Sequence, residues 1–369
     1  MSDSLGDGAG NPTEEQMRLY ERWAQGGAAL SLIGEVQGTS RYPEKPGNLV
    51  LVPDANLDAM QALARRGMVN GAHIWPQLGH AGALSHLPIS QPKGPSALNV
   101  DGLKCEGMSL KDIHELSDMY ARTAKLAKQV SFSGVQIHAG HGFLFSQFLS
   151  PLFNKRKDEY GGSIENRFRV IGEVIDAVRQ AVGESFPIGI KINSTDNLVG
   201  GLSQDDALEV INMLDQTSID LIDISGGTYF PGAASASDRA SSSTPYFIDF
   251  TKRAKRLTSI PMMVTGGFRT REQAAYAIQK DFTDAVSLAR AMVLKSSLAN
   301  TWLSDEGGDP AFPVFNAPPR GGVTAWYTMR LTALGEDREH LYDLSPAAAL
   351  AAYEMRDSER CTKWRERFS

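Results

Sequence analysis

PIGIKINSTDNLVGGLSQDDALEVINMLDQTSIDLIDIS, residues 187–225, reads as strand, helix, strand. Residues 187–193 and 220–225 are short apolar runs with little polar alternation, the pattern of strands buried on both faces. Between them, Ser203 precedes an amphipathic segment that reaches Gln216. Two strands joined by one helix form a parallel βαβ unit. The alternation continues in both directions. Further strands are expected at 28–36, 72–78, 134–139, 261–266 and 284–289. Thr13, with Gln16 three residues on, reads as a capping box opening a helix. Other helices are expected at 53–70, 110–129, from Ser163, and at 244–257, 270–279 and 292–303. About seven strands, with a helix before the first, predict an α/β fold of the (β/α)8 TIM-barrel type, with the first strand missing from this chain or the barrel open. Residues 1–369 are read as one domain, with a barrel core over about 13–305 and a helical extension over 306–369.

The 369 residues carry a net charge of −6, which argues against a nucleic-acid partner. Cys105 and Cys361 are the only cysteines, so no disulfide framework is expected and a reducing, cytoplasmic setting fits. No apolar run is long enough to span a membrane, and the polar N-terminus lacks the apolar segment of a signal peptide.

The residues with chemistry fall at strand C-terminal ends, the rim where barrels build their sites. In IHAGHGFLF (137–145), His138 and His141 stand three apart. They read as structural histidines, as a zinc pair, or as donors to a substrate oxygen that stabilise an enolate. The zinc reading lacks both the helical spacing and a nearby third ligand, so no metal is expected. VTGGFRT (264–270) places Gly266 and Gly267 before a helix, a turn that can cradle phosphate, and Arg290 after the last strand can pair with the same anion. Taken alone, Gly-Gly is a weak signal and is more often just a turn. Lys191 is a cation inside an apolar strand, costly if unpaired and suited to a delocalised anion. Gln77 supplies an amide that donates and accepts, or simply caps its strand. Two long loops, 80–108 and 226–243, follow strand ends and read as lids or binding loops.

With these residues in view, the chain resembles the Old Yellow Enzyme family of NADH:flavin oxidoreductases and ene-reductases. The resemblance rests on IHAGHGFLFSQFLSPLFNKRKDEYGGSIENRF, WPQLGHAG, IGIKINSTDNLVGGLS, LIDISGGTY and TGGFRT, and spans about residues 10–335. It implies FMN at the barrel mouth and NAD(P)H as reductant. Gln77 would contact the pyrimidine side of the flavin and Lys191 its N1/O2 edge, while Gly266, Gly267 and Arg290 would hold the phosphate. His138 and His141 would bind the carbonyl or nitro group of an activated alkene, with Phe143 and Tyr229 beside it. The chain departs from the family pattern at four places. The first strand is absent. Phe143 stands where the family usually has a proton-donating Tyr. Ala83 ends His80-Ala81-Gly82-Ala83 where the family has Arg. Ser287 stands where Gly is frequent.

The expected function is therefore FMN-dependent, NAD(P)H-driven reduction of an electron-poor C=C bond in a small molecule. Two rivals stay open: a non-redox barrel isomerase acting on an enone, and a non-catalytic ligand-binding barrel. A homo-oligomer is compatible with the sequence, which does not name the alkene.

Overall fold

The computed structural model describes residues 2–100, 102–233, 245–304 and 307–369. Its strands are β1 (Leu30–Gln37), β2 (Leu49–Val50), β3 (His73–Gly79), β4 (Lys93–Gly94), β5 (Leu98–Val100), β6 (Leu103–Gly107), β7 (Val135–Ala139), β8 (Ile188–Asn193), β9 (Leu221–Ser225), β10 (Met262–Thr265) and β11 (Ala285–Ser287). The helices are α1 (Glu14–Gln25), α2 (Leu57–Gly67), α3 (Leu110–Gln129), α4 (Leu144–Leu149), α5 (Ile164–Val182), α6 (Gln204–Leu214), α7 (Ile248–Ala254), α8 (Arg271–Gln279), α9 (Arg290–Leu294), α10 (Leu298–Ser304), α11 (Gly322–Gly335) and α12 (Pro346–Phe368).

One parallel sheet runs β11-β10-β9-β8-β7-β3-β1-β2 and forms the wall of a TIM-type barrel. The seven expected strands are all present. β7 and β8 are buried at every position, as continuous apolar runs require. Among the described residues no strand precedes α1, and β11 has no neighbour beyond β10, so the hydrogen-bonded ring is open. Side chains and loops bridge that seam instead. Trp23 Nε1 donates to Met292 O at 3.2 Å, Asn300 N to Gly26 O at 2.9 Å, and Asn300 Nδ2 to Gln25 O at 3.0 Å.

Several local expectations need correction. Thr13 Oγ1 accepts from Gln16 N, but the Gln16 side chain turns away to Asp3 Oδ1, so only half of the capping box forms. The helix expected over 53–70 is α2, capped by Asn56, because residues before it lie in turns. The helix expected over 292–303 is two helices, α9 and α10, because Lys295 adopts an extended conformation between them. The loop 80–108 carries a small sheet of order β4-β6-β5. Thr244, the expected start of α7, and residues 234–243 of the second long loop lie outside the described residues.

α12 packs over the chain's first residues and the loop after β1. Arg360 Nη1 donates to Ser4 O at 2.6 Å, and Trp364 Nε1 to Ser40 O at 3.3 Å. Among the described residues no helix is long and apolar enough to cross a membrane.

Candidate active site

Strand register brings the polar rim residues together. His138 on β7 pairs with Lys191 on β8, and Lys191 with Asp223 on β9. Lys191 Nζ lies 2.8 Å from Asp223 Oδ2, with both side chains buried. Such a pair needs its remaining lone pairs met. Here Thr265 Oγ1 donates to Asp223 Oδ1 at 2.7 Å, and Gln136 Nε2 to Asp223 Oδ2 at 3.2 Å. Gln77 Nε2 donates in turn to Gln136 Oε1 at 2.5 Å. Gln77 and Lys191 are thus two ends of one polar layer crossing β3, β7, β8, β9 and β10.

His138 and His141 come into direct contact, with His138 Nε2 and His141 Nδ1 3.0 Å apart. The other ring nitrogens are also engaged. His138 Nδ1 donates to the Glu35 carboxylate on β1, and His141 Nε2 meets Ser225 Oγ at 2.9 Å. His141 holds a left-handed backbone, φ +58, unusual for a residue with a β-carbon. Asn193 Oδ1 fixes it by accepting from His141 N at 2.9 Å. Burial first, then the neighbouring His138 and Lys191, hold the His141 pKa well below the ordinary imidazole value.

Phe143 is buried, its ring centroid 5.0 Å from that of His138. Tyr229 is exposed, 6.0 Å from His141 and 5.8 Å from Phe143 between ring centroids. These four rings make one face of the site. A cavity of 370 Å³ is walled by Gly38, Tyr42, His80, Met119 and Phe368 among others, and none of the four site rings lines it.

The phosphate end stands apart from the rings. Gly266 and Gly267 have φ of +124 and +85, conformations that disfavour a side chain. A β-carbon at Gly267 would sit 3.0 Å from Pro245 Cα, and one at Gly266 3.2 Å from the Phe247 ring. The turn therefore accepts backbone only. Thr265 pairs with Ser287, which sets this turn level with the approach to Arg290. Among the described residues Arg290 has no ion pair; its guanidinium faces the Tyr327 ring at 5.9 Å. A glycine turn and a guanidinium without an ion pair, at the ends of neighbouring strands, are groups that can bind an anion. Lys191 and Gln77 add polar groups toward the middle of the rim. This donor set fits a flat, phosphate-bearing cofactor such as FMN. No group of three or more potential metal ligands occurs among the described residues.

Glu35, Gln136, Asn193, Asp223 and Ser225 were not singled out from sequence. The signal that could have found Asp223 was available: a carboxylate inside LIDIS has the same buried-charge problem as Lys191 inside IGIKIN.

Residues 7–304 match the model of the NADH:flavin oxidoreductase / NADH oxidase family. The chain is 31% identical over 333 residues to the NADH-dependent flavin oxidoreductase iliE of Hypocrea jecorina, covering 82% of this chain and 83% of that one. It is 32% identical over 276 residues to an NADPH dehydrogenase of Geobacillus thermodenitrificans, covering 74% and 78%. In fold it is similar to the old yellow enzyme homologue from Zymomonas mobilis, with a TM-score of 0.72, 22% identity, and coverage of 89% of this chain and 92% of that one.

Proposed function

Because the chain belongs to the NADH:flavin oxidoreductase / NADH oxidase family, and is thus an FMN-dependent oxidoreductase that takes its electrons from NAD(P)H, we propose that it reduces the electron-poor C=C bond of a small activated alkene. The observation that supports this most is the half-buried His138–His141 contact of 3.0 Å at the barrel rim, beside two aromatic rings. A flat enone would lie against this aromatic face with its oxygen toward the imidazoles.

FMN, when bound, supplies the hydride chemistry. The protein's own groups bind, orient and polarise. Gly266, Gly267 and Arg290 would hold its phosphate. Gln77 and Lys191 address the polar edge of the ring system, and Asp223 keeps Lys191 in place. His141 Nε2, in exchange for Ser225 Oγ, would hydrogen-bond the substrate oxygen as negative charge develops there, an oxyanion role that His138 supports through its contact with His141 Nδ1. Phe143 and Tyr229 flank the substrate. Phe143 has no proton to give, so proton supply falls to other groups. Both cysteines are free, which agrees with a reducing, cytoplasmic setting for such an enzyme.

The test is anaerobic. The flavin-loaded protein is bleached with NADH or NADPH, and 2-cyclohexenone is then added. The expected result is recovery of flavin absorbance with formation of cyclohexanone. Recovery with oxygen or a quinone but not with any enone or nitroalkene would overturn the C=C assignment.

A further inference from the structure

Glu35 and Ser225 extend the histidine pair at its two ends, so four side chains from β1, β7 with its following loop, and β9 form one unbroken row. Glu35, His138 and Ser225 are all buried. The geometry at Glu35 is tightly enforced. Its Oε2 lies 1.4 Å from where a β-carbon on Gly79 would stand, so only glycine at 79 lets the carboxylate reach His138. Other titratable groups face this row. Tyr120 on α3, Glu44 in the loop after β1 and Tyr229 after β9 feel the Glu35 charge, and Lys191 on β8 faces His141.

A row of this kind has two self-consistent proton orders. In both, His138 Nδ1–H donates to Glu35. In the first, His138 also carries a proton on Nε2 and donates it toward His141 Nδ1, while His141 Nε2–H donates to Ser225 Oγ. In the second, His141 Nδ1–H donates to His138 Nε2, and the Ser225 hydroxyl donates to His141 Nε2. The two orders differ by one proton, and every ring nitrogen is partnered in each. In the first order the extra proton sits on His138, the ring that contacts the Glu35 carboxylate.

We propose that Glu35 is the positioning residue of a one-proton relay, Glu35–His138–His141–Ser225, that delivers a proton to an anionic substrate oxygen. This rests on the reading that the histidines face the substrate. An oxygen that takes the place of Ser225 at His141 Nε2 receives the proton from that nitrogen. The His138 Nε2 proton moves to His141 Nδ1, and the row is left in its second order. The oxygen gains one O–H bond, the row loses one proton, and water reloads it. An enolate leaves as its enol and becomes the ketone in solution. A phenol at position 143 is then not required, which accounts for Phe143.

The relay can be read without turnover. ¹⁵N-histidine NMR, on protein with flavin and on the same protein stripped of it, should show His138 Nδ1 protonated, with a far-downfield proton, in both samples. Glu35→Gln and Gly79→Ala should each abolish that resonance while circular dichroism shows the fold intact. Turnover of loaded Glu35→Gln should fall roughly 10²-fold, with a changed pH–rate profile and little change in KM, and Glu35→Asp should recover part of it. Persistence of the downfield resonance and of the pH profile in folded Glu35→Gln would overturn the relay. Failure of the proposed function is a separate outcome, since it shows as absent enone turnover in the parent protein whatever the NMR reads.

Discussion

Lys191 and Asp223, adjacent in register on β8 and β9, neutralise each other at 2.8 Å inside the barrel wall. Removing one partner strands the other charge in a buried layer. Asp223→Ala should therefore destabilise the protein by about 3–5 kcal/mol. Lys191→Met combined with Asp223→Leu should restore most of that stability, since an apolar pair of similar volume replaces a desolvated one. The double variant should still lose flavin affinity. Denaturant unfolding and flavin titration of the same samples separate the two effects.

Glu44 gives the fold a pH dependence. Burial, and then the Glu35 carboxylate, push its pKa up to about 7 from an ordinary 4.5. The folded state thus holds a proton that the unfolded chain has already released. This contribution is fully present below the unfolded value and is lost as pH rises toward 7. Glu44→Gln should remove that loss and stabilise the protein at pH 8 by on the order of 2 kcal/mol, after discounting for the partial exposure of the side chain. Equal pH slopes in the two proteins, measured by urea unfolding between pH 5 and 8, would count against this account of Glu44.

Arg290 lacks an ion-pair partner among the described residues, so its guanidinium is available to a phosphate. Arg290→Ala should weaken FMN binding by about 1.5–3 kcal/mol, or ten- to a hundredfold in Kd. Riboflavin, which has no phosphate, should bind parent and variant alike. Fluorescence quenching by both flavins measures the contrast, and an equal loss for riboflavin would move Arg290 away from the phosphate.

Phe143 offers a gain-of-function test. Its ring stands 5.0 Å from His138 and 5.8 Å from Tyr229, centroid to centroid. Phe143→Tyr adds a hydroxyl to this face and with it a second proton route. If proton supply limits turnover, stopped-flow reoxidation by cyclohexenone should accelerate, up to the roughly 10²–10⁴ span of general-acid assistance. An unchanged rate would show that the existing groups already supply the proton fast enough.

The barrel strands were legible because each is an apolar run between helices, and His138, His141 and Lys191 because polar groups stand out in such runs. Their partners were harder to see. Lys191 finds Asp223 only through the β8–β9 register, and Gln77 finds Gln136 only through β3–β7. Register is set by packing of whole strands, not by the few residues around a motif. Glu35 stands more than a hundred positions from His138, and nothing local to either residue names the other. The break between α9 and α10 escaped because its apolar spacing continues through residues that leave the helix.

The bridge at the open edge of the sheet has a mechanical meaning. A closed ladder would fix the spacing of β1 and β11 through a continuous run of backbone bonds. Here that spacing is held by two side-chain donors, Trp23 Nε1 and Asn300 Nδ2, and a single backbone bond from Asn300 N to Gly26 O, a latch made mostly of replaceable parts. The strand carrying Glu35 and the turn leading to Arg290 sit on opposite sides of that latch. Loosening it at Trp23 would let the acid end and the phosphate end of the site drift relative to each other, with every group in both still in place.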